Sequence, residues 1–260
     1  MRSIRLFFLL ILLLWPSQHL LAWGKTGHRV IAQVAYDNLT PRARRQVDRI
    51  LGKHGIVYYS NWADEIKSDT IYPDSYDWHY QDFDPGLSDS ALVACLNHYP
   101  QEGGNLFRAM DSLVALLHND PSNADALRFV VHLMGDRFCP MHTAHLDDLG
   151  GNRVFLQWFK QPYNLHRIWD DGLIEASRYS YSEYAEYLQD HFSDQARAIR
   201  RMTDADLLRH NYALTNEIYD YYADWDGNCW HYLYHFTPKM EWQLYASGIR
   251  LAMLLNDIYG

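Results

Sequence analysis

Two short segments of the sequence each place an imidazole and a carboxylate four residues apart. They are His132-Leu-Met-Gly-Asp136 and His166-Arg-Ile-Trp-Asp170. Positions i and i+4 share one face of an α-helix, so each pair can close on one cation. One such pair carries little information, but two pairs with His142 between them indicate a metal centre. Nitrogen and carboxylate ligands without a thiolate suit zinc in an open, catalytic arrangement.

Helical periodicity runs through almost the whole sequence. Apolar residues recur at helical spacing from Gly27 to Leu39 and from Asn105 to His118. Helix N-caps are expected at Thr40 before Pro41, at Ser122 or Asn123, at Ser182, at Thr203, and at Thr237 before Pro238. One short β-hairpin is expected near residues 152–160. The sequence therefore predicts an all-α fold, a single compact multi-helix domain.

The first 22 residues have the pattern of a cleaved export signal. Arg2 and Arg5 precede an apolar run from Leu6 to Leu14, and Ala22 offers a cleavage point. The alternative is an uncleaved anchor, which the short run disfavours because it cannot span a bilayer. We expect cleavage to leave residues 23–260 as one secreted or periplasmic domain without a membrane span.

The chain has a formal net charge of −9, which argues against sequence-specific DNA binding. A phosphorylated substrate would then need bound metal for local positive charge. Three cysteines fit an oxidising compartment weakly, and sequence alone cannot choose a pair. Our guess is a disulfide between Cys95 and Cys229, with Cys139 free beside the metal centre. We expect a monomer.

Seven motifs occur in a fixed order along residues 23–170. They are Trp23-Gly-Lys-Thr-Gly-His28, Trp62-Ala-Asp64-Glu-Ile-Lys67, Trp78-His79-Tyr80, His132-x-x-x-Asp136, Pro140-Met-His142, Gly150-Gly-Asn152 and Asn164-Leu-His166-x-x-Trp-Asp170. Together they resemble the trinuclear-zinc nucleases, the S-one/P-one family, which is related to zinc phospholipase C. Each motif alone is weak, whereas seven in order form a specific signal.

The resemblance implies three Zn²⁺ ions held by three groups of ligands. The groups are Asp64, His79, His132 and Asp136; His142, His166 and Asp170; and Trp23 with His28 and a shared Asp136. Trp23 would bind through its α-amine and carbonyl oxygen, which requires that processing frees the amine. The signal-peptide and metal interpretations therefore support each other.

The same resemblance implies hydrolysis of phosphodiester bonds in single-stranded DNA and RNA to 5′-phosphate products, with 3′-nucleotidase activity as an addition. Asp82, or alternatively Asp84, would orient or deprotonate the attacking water. Lys67 would clamp the phosphate, although a plain surface lysine stays an open alternative. Tyr80 would stack on a base, which favours unpaired strands.

The sequence also departs from the family, and other functions stay open. Phe138-Cys139 replaces the usual His-Gln pair, and Gly172 stands where some fungal members carry a base-contacting asparagine. Base preference is therefore not carried over. A zinc phospholipase C is one alternative, disfavoured by Lys67 and by the final ligand Asp170. A non-catalytic metal-stabilised binding protein is the other, for which the altered Phe138-Cys139 segment is the argument.

Overall fold

Helices form most of the chain in the computed structural model, which describes residues 23–260. Within that range the α-helices are α1 (Lys25–Asp37), α2 (Pro41–Leu51), α3 (Gly55–Tyr58), α4 (Trp62–Ile66), α5 (Asp89–Ala94), α6 (Leu106–Asn119), α7 (Ala124–Asp136), α8 (Leu165–Arg167), α9 (Leu173–Ala176), α10 (Tyr181–Phe192), α11 (Ala196–Arg201), α12 (Asp204–Ala223) and α13 (Cys229–Tyr259). Short 3-10 turns lie at Tyr59–Asn61, Ser75–His79 and Pro140–His142, and a π turn covers Ile168–Gly172. The predicted helical fold is confirmed. The predicted export signal, residues 1–22, lies outside the described residues.

A single β-hairpin interrupts the helices of the described part, as predicted. Strand β1 (Phe155–Trp158) pairs antiparallel with β2 (Gln161–Asn164), so the second strand extends beyond the predicted residue 160. Phe159 and Lys160 form the turn with φ values of 47° and 67°. Two positive φ values match the twist of a two-residue hairpin turn. The hairpin leads directly into α8, which carries His166.

Helix α1 packs against α13 and α10 and forms the centre of the core. Its Val30, Ile31 and Val34 side chains are fully buried, and each stabilises the fold by about 1.5–3 kcal/mol. Helices α1 and α13 approach each other closely at Gly248 of α13. A Cβ atom at this position would lie only 2.6 Å from the Val34 side chain of α1, so glycine is needed there. This packing fixes α1 so that His28 points into the interior.

Most predicted helix caps are confirmed, and one is displaced by two residues. The side chains of Thr40, Asn123 and Thr203 accept backbone hydrogen bonds at the starts of α2, α7 and α12. Each such cap contributes about 1 kcal/mol. Ser180, and not Ser182, caps α10. Ser180 also forms a capping box with the third residue of the helix, which outcompetes the later serine.

The predicted start of the last helix at Thr237-Pro238 is wrong. Helix α13 begins at Cys229, capped by Asn228, and continues through Pro238. Proline removes one hydrogen bond, to the carbonyl group four residues earlier. That residue, Tyr234, is 88 % exposed, so water can satisfy the carbonyl group. No helix in residues 23–260 has both the length and the apolar character needed to cross a bilayer.

The guessed disulfide between Cys95 and Cys229 is wrong, because all three cysteines are free thiols in the structure. Cys95 follows α5 and packs in a small cluster against α12. Cys229 instead lies beside the hairpin, where its Sγ is 3.2 Å from the backbone nitrogen of Phe159. The spacing of the cysteines in the sequence does not show that Cys95 and Cys229 lie in different parts of the fold. Cys139 is free, as expected, and the structure shows that it is buried.

Candidate metal centre

Helix α7 carries the first His-x-x-x-Asp pair into the interior. His132 and Asp136 are fully buried, and His132 Nε2 lies 3.3 Å from Asp136 Oδ2. The carbonyl oxygen of Ser60 lies 2.7 Å from His132 Nδ1. This contact fixes the ring and turns Nε2 toward the carboxylate, which is how a second partner orients a ligating histidine.

Asp64 in α4 and His79 at the end of a 3-10 turn join this pair. His79 Nδ1 lies 3.0 Å from Asp136 Oδ2 and 3.7 Å from Asp64 Oδ1. His132 Nε2 lies 3.8 Å from the same Asp64 oxygen. Potential ligand atoms of Asp64, His79 and His132 are all within 4.8 Å of one another. The structure therefore brings the first predicted group together from three separate elements.

His28 reaches the other oxygen of Asp136 from helix α1. Its Nε2 lies 3.3 Å from Asp136 Oδ1, and its ring stacks on that of His132 with centroids 3.9 Å apart. Gly135 permits this approach, because a Cβ there would lie 2.7 Å from His28 Nδ1. Asp136 thus faces a different set of imidazoles through each of its oxygens. A carboxylate shared by two cations needs this arrangement.

Trp23 lies beside the same cluster and is fully buried. Its indole Nε1 donates a hydrogen bond to the Gly135 carbonyl at 2.9 Å, and its ring lies 6.4 Å from that of Trp169. The next backbone N–H, of Gly24, donates to the Asp170 carbonyl at 2.7 Å. Residues 23 and 24 are therefore held between the two His-x-x-x-Asp pairs. Ligation by the Trp23 amine stays a prediction, since it depends on cleavage after residue 22.

The second His-x-x-x-Asp pair spans α8 and the π turn after it. His166 Nε2 lies 3.3 Å from Asp170 Oδ2, and His142 Nε2 lies 3.8 Å from Asp170 Oδ1. Backbone carbonyls orient both rings. The Gly150 oxygen is 2.7 Å from His166 Nδ1, and the His79 oxygen is 2.5 Å from His142 Nδ1. These three side chains form the second predicted group.

Two nearby features were not predicted as ligand groups. Cys139 Sγ lies 4.0 Å from Asp170 Oδ1, and both residues form a close group with His142.

The second feature is a loop that brings potential ligand atoms of His145, Asp147 and Asp148 within 4.8 Å of one another. No helical spacing marks this loop in the sequence. Asp148 already accepts hydrogen bonds from the Gly151 N–H and the Tyr219 hydroxyl, which hold the loop in place.

Several buried polar atoms of the three groups have no hydrogen-bond partner among the described residues. They include His28 Nε2, His142 Nε2, His166 Nε2 and Asp136 Oδ1. A buried polar atom left in this state destabilises a fold by about 1–3 kcal/mol. Cations between the groups would satisfy these atoms together. The residues therefore fit a metal centre, and their nitrogen and carboxylate donors fit zinc.

Burial and neighbouring charges shift the pKa values of the ligand candidates in different directions. Burial dominates at His142. It lowers the pKa of His142 to about 3, so this imidazole is neutral at pH 7. Burial also opposes ionisation of Asp136, but the neighbouring His132 and His28 more than offset it and hold the pKa of Asp136 well below its usual range. Burial likewise opposes protonation of His132, but Asp136 and Asp64 more than offset it and raise its pKa to about 9. Because neutral imidazoles and ionised carboxylates are the forms that bind metal, a bound cation must displace the proton of His132.

A cleft of about 220 Å³ opens over the first and second groups. Its lining residues are Lys67, Tyr76, His79, Tyr80, Asp82, Met141, His142, Leu149, Asn152 and His166. Ligand candidates from both groups therefore contact the same space. A substrate in this cleft would lie against both.

The predicted catalytic residues Lys67 and Asp82 and the predicted substrate-binding residue Tyr80 line the cleft. Lys67 is only 8 % exposed, and its Nζ lies 3.3 Å from Asp64 Oδ1, so the alternative of a surface lysine is wrong. Asp82 is buried, and burial raises its pKa to about 7. Asp84, the alternative base, is exposed and lies outside the cleft lining. Tyr80 is half-buried at the cleft wall.

Sequence reasoning missed Tyr76, a second aromatic residue of the cleft. Tyr76 is 41 % exposed, and its ring stands edge-on to Tyr80 with centroids 6.4 Å apart. The Tyr80 hydroxyl donates to Asp77 Oδ1 at 3.0 Å, which holds that ring in place. Residues three apart eclipse on a 3-10 turn, so Tyr76 and His79 share a face. The three-residue spacing between Tyr76 and His79 was the signal in the sequence that could have placed Tyr76 near the metal centre.

The helical fold and its buried His/Asp groups under one cleft define a protein class with several potential metal sites. A sequence model described as S1/P1 Nuclease matches residues 23–260, and the chain belongs to this family. It is 27 % identical to Endonuclease 2 of Arabidopsis thaliana, over 95 % of the chain and 94 % of the relative. It is 28 % identical to Nuclease S1 of Aspergillus oryzae, over 62 % and 57 %, and 24 % identical to Nuclease P1 of Penicillium citrinum, over 92 % and 98 %.

Family membership makes the chain a nuclease, a hydrolase of phosphoric ester bonds. The predicted resemblance is thereby confirmed. Neither the phospholipase alternative nor the non-catalytic alternative gains support from these relatives, which are all named as nucleases or endonucleases.

Proposed function

We propose that this chain is an exported, monomeric zinc nuclease that cuts single-stranded DNA and RNA to 5′-phosphate products and also removes 3′-phosphates from nucleotides. The observation that supports it most is the position of Asp136, which joins two of the His/Asp groups, together with a cleft that is lined by residues of the first and second groups. Asp136 contacts His28 through one oxygen and His79 and His132 through the other. The family supports nuclease chemistry, and the residues present fit the metal that such chemistry uses.

Three zinc ions are the proposed cofactors, with the predicted ligand groups. They would be held by Asp64, His79, His132 and Asp136; by His142, His166 and Asp170; and by Trp23, His28 and Asp136. Bound zinc lowers the pKa of a water molecule and neutralises charge on phosphoryl oxygens. Because the chain has a formal net charge of −9, a phosphodiester needs that positive charge nearby.

Asp82 has the role of proton acceptor in this proposal. Its carboxyl group lines the cleft beside His166, and burial raises its pKa to about 7. A group with a pKa near the working pH can accept a proton from water and release it again. The Ala144 N–H, 3.4 Å from Asp82 Oδ1, helps to hold the acceptor oxygen in position.

Lys67 and Tyr80 would position the substrate. The Lys67 ammonium group, held against Asp64, can form an ion pair with a phosphate in the cleft. Lysine presents a point charge and not the two-pronged donor of arginine. The ring of Tyr80 can stack on an unpaired base, and such stacking is worth about 1–3 kcal/mol. Bases within a duplex are already stacked, so this contact favours single strands.

Export completes the site in this proposal. Cleavage of the signal peptide after Ala22 would convert an amide into the free α-amine of Trp23. The amine and the carbonyl oxygen of one residue can close a five-membered chelate on a cation. The burial of Trp23 and the hydrogen bond from the Gly24 N–H to the Asp170 carbonyl support this role for Trp23. A secreted or periplasmic location follows from the same cleavage.

The test uses natively processed protein and three substrates. Zinc-loaded protein is incubated with single-stranded DNA, with RNA and with phosphatidylcholine vesicles, and the ends of the products are determined. The proposal predicts hydrolysis of both polymers to 5′-phosphate ends, loss of activity with a chelator and recovery with zinc. Cleavage of lipid alone would replace the nuclease by a phospholipase. Tight metal binding without turnover of any substrate would favour the non-catalytic alternative.

A further inference from the structure

Residues 41–54 form a basic segment in an acidic protein. They contain five Lys or Arg residues and a single carboxylate, Asp48, although the whole chain has a formal net charge of −9. Asp48 accepts a hydrogen bond from the Tyr36 hydroxyl at 3.0 Å and keeps its charge, so five cations and one carboxylate leave the segment with a formal charge of +4. The net charge of the chain conceals this local concentration of positive charge.

Helical spacing puts these cations on one surface. Arg42, Arg45 and Arg49 occupy positions i, i+3 and i+7 of α2 and are all exposed. The opposite face of α2 is buried and consists of Ala43, Val47 and Leu51. Lys53 follows the end of α2 and is also exposed. Arg44 alone turns inward, where it lies over the Tyr36 ring.

These side chains have no carboxylate partner. Within residues 23–260, no carboxylate oxygen lies within 4.0 Å of the charged group of Arg29, Arg42, Arg45, Arg49 or Lys53. Some cations elsewhere in the described residues are paired, as Arg128 is with Asp125 and Arg209 with Asp89, and others such as Arg108 and Lys160 are exposed and unpaired. The segment from residue 41 to 54 differs because several unpaired cations lie close together on and just after one helix. The unpaired surface therefore attracts anions from solution.

A cavity of about 430 Å³ extends this surface between α1, α3 and α10. Its charged and aromatic lining residues are Arg29, Lys53, His54, Tyr58, Tyr59 and Tyr181, and its lining includes no carboxylate. Tyr58 is 76 % exposed and stands edge-on to Tyr59 with ring centroids 4.9 Å apart. Cations and an accessible aromatic ring thus lie side by side.

We propose that this basic surface, made of Arg29, Arg42, Arg45, Arg49, Lys53 and Tyr58, binds single-stranded nucleic acid outside the cleft. The inference rests on the proposed function, because it names how that nuclease holds a long substrate. Phosphates pair with the cations, and unpaired bases stack on Tyr58, the combination found in proteins that bind single strands. Helix α2 exposes no large apolar side chain, which an interfacial membrane helix would need.

The basic surface is connected to the metal centre by very short segments. Arg29 follows His28 in α1. Tyr59 precedes Ser60, whose carbonyl oxygen contacts His132. A strand held at the basic surface stays bound while another part of it enters the cleft, which raises its effective concentration there. The surface therefore acts on long substrates and leaves short ones unaffected.

The test compares two double variants of the zinc-loaded, processed protein. R49Q/K53Q removes two charges from the basic surface. R108Q/K160Q removes two exposed, unpaired charges from α6 and the hairpin turn and is the matched control. Hydrolysis of a thymidine 30-mer and of the dinucleotide TpT is measured for each. Binding is measured without turnover, by fluorescence anisotropy of a labelled phosphorothioate 30-mer from 50 to 300 mM salt.

We expect R49Q/K53Q to raise the KM for the 30-mer and the Kd for its phosphorothioate form by about fivefold. The slope of log K against log salt concentration should fall by about 1.4, since each of two lost phosphate contacts on a single strand contributes about 0.7. Tyr58→Ala should raise the same Kd by about tenfold through lost stacking. Both R49Q/K53Q and Tyr58→Ala should hydrolyse TpT as the wild type does. R108Q/K160Q should leave all of these values unchanged.

The proposal is overturned if R49Q/K53Q binds and cleaves the 30-mer as the control variant does. It is also overturned if R49Q/K53Q loses binding only to phosphatidylserine vesicles, because the surface would then recognise lipid. Failure of the proposed function looks different, since the wild type would then cleave neither TpT nor the 30-mer. The anisotropy measurement would still decide whether the basic surface binds the strand.

Discussion

Replacing Asp136 by Asn should remove more metal than replacing Asp170 by Asn. The two oxygens of Asp136 lie 3.3 Å from His28 and 3.0 Å and 3.3 Å from His79 and His132, so this carboxylate serves two proposed cations. Asp170 contacts only the second group. Asparagine keeps the shape of the side chain but removes the negative charge.

The charge determines the size of the effect. Two unit charges 4 Å apart interact with about 4 kcal/mol at an effective dielectric constant of 20, and a contact between a carboxylate and a divalent cation is closer and stronger. Loss of about 4 kcal/mol weakens a site by about 10³-fold. Asp136→Asn should therefore lose two of three zinc ions at nanomolar free zinc, and Asp170→Asn should lose one.

The assay is elemental analysis after dialysis against a zinc buffer, with circular dichroism to confirm that both variants are folded. Hydrolysis of single-stranded DNA is measured on the same samples, and we expect at least about 10³-fold lower activity for Asp136→Asn, the factor that follows from the charge estimate. Equal zinc contents in the two variants would refute the shared role of Asp136. So would a full zinc content in Asp136→Asn.

Three further predictions address other parts of the molecule. A protein that retains one residue ahead of Trp23 should bind one zinc ion fewer and lose most activity, because the α-amine of Trp23 becomes an amide. A normal zinc content in a protein with an N-terminal tag would contradict this. Tyr80→Ala should raise the KM for single-stranded DNA by about tenfold, and Tyr80→Phe should not, since stacking needs only the ring; equal effects of both would shift the role to the hydroxyl. Thr203→Ala should lower the free energy of unfolding by about 1 kcal/mol in urea titrations, and Thr203→Ser should retain it; identical curves for the two variants would exclude the cap as a source of stability.

Local features of the fold could be predicted because local chemistry determines them. Thr40 and Asn123 cap helices because their side-chain oxygens accept backbone hydrogen bonds within three residues. The start of α13 could not be predicted in this way. Pro238 has the signature of a first helical residue, but the packing of α13 along the core carries the helix through it. Tertiary contacts outweigh a single local signal there.

The predicted ligand groups follow from ordered motifs, whereas their surroundings depend on the three-dimensional arrangement. The contact between Lys67 and Asp64 is local, because the two residues are three positions apart. The burial of Lys67 and the position of Tyr76 in the cleft, in contrast, arise from elements that meet only in the folded chain. The mistaken disulfide has the same origin, since spacing says nothing about which thiols face each other. The basic surface of α2 lies within a short stretch of the sequence, but the net charge of the whole chain conceals it, because the acidic residues elsewhere outweigh these cations.

The most direct test of the account is the zinc content of natively exported protein, measured by native mass spectrometry together with its N-terminal residue. The account predicts a chain that begins at Trp23 and holds three zinc ions. A correctly processed chain with fewer than two tightly bound zinc ions would contradict it.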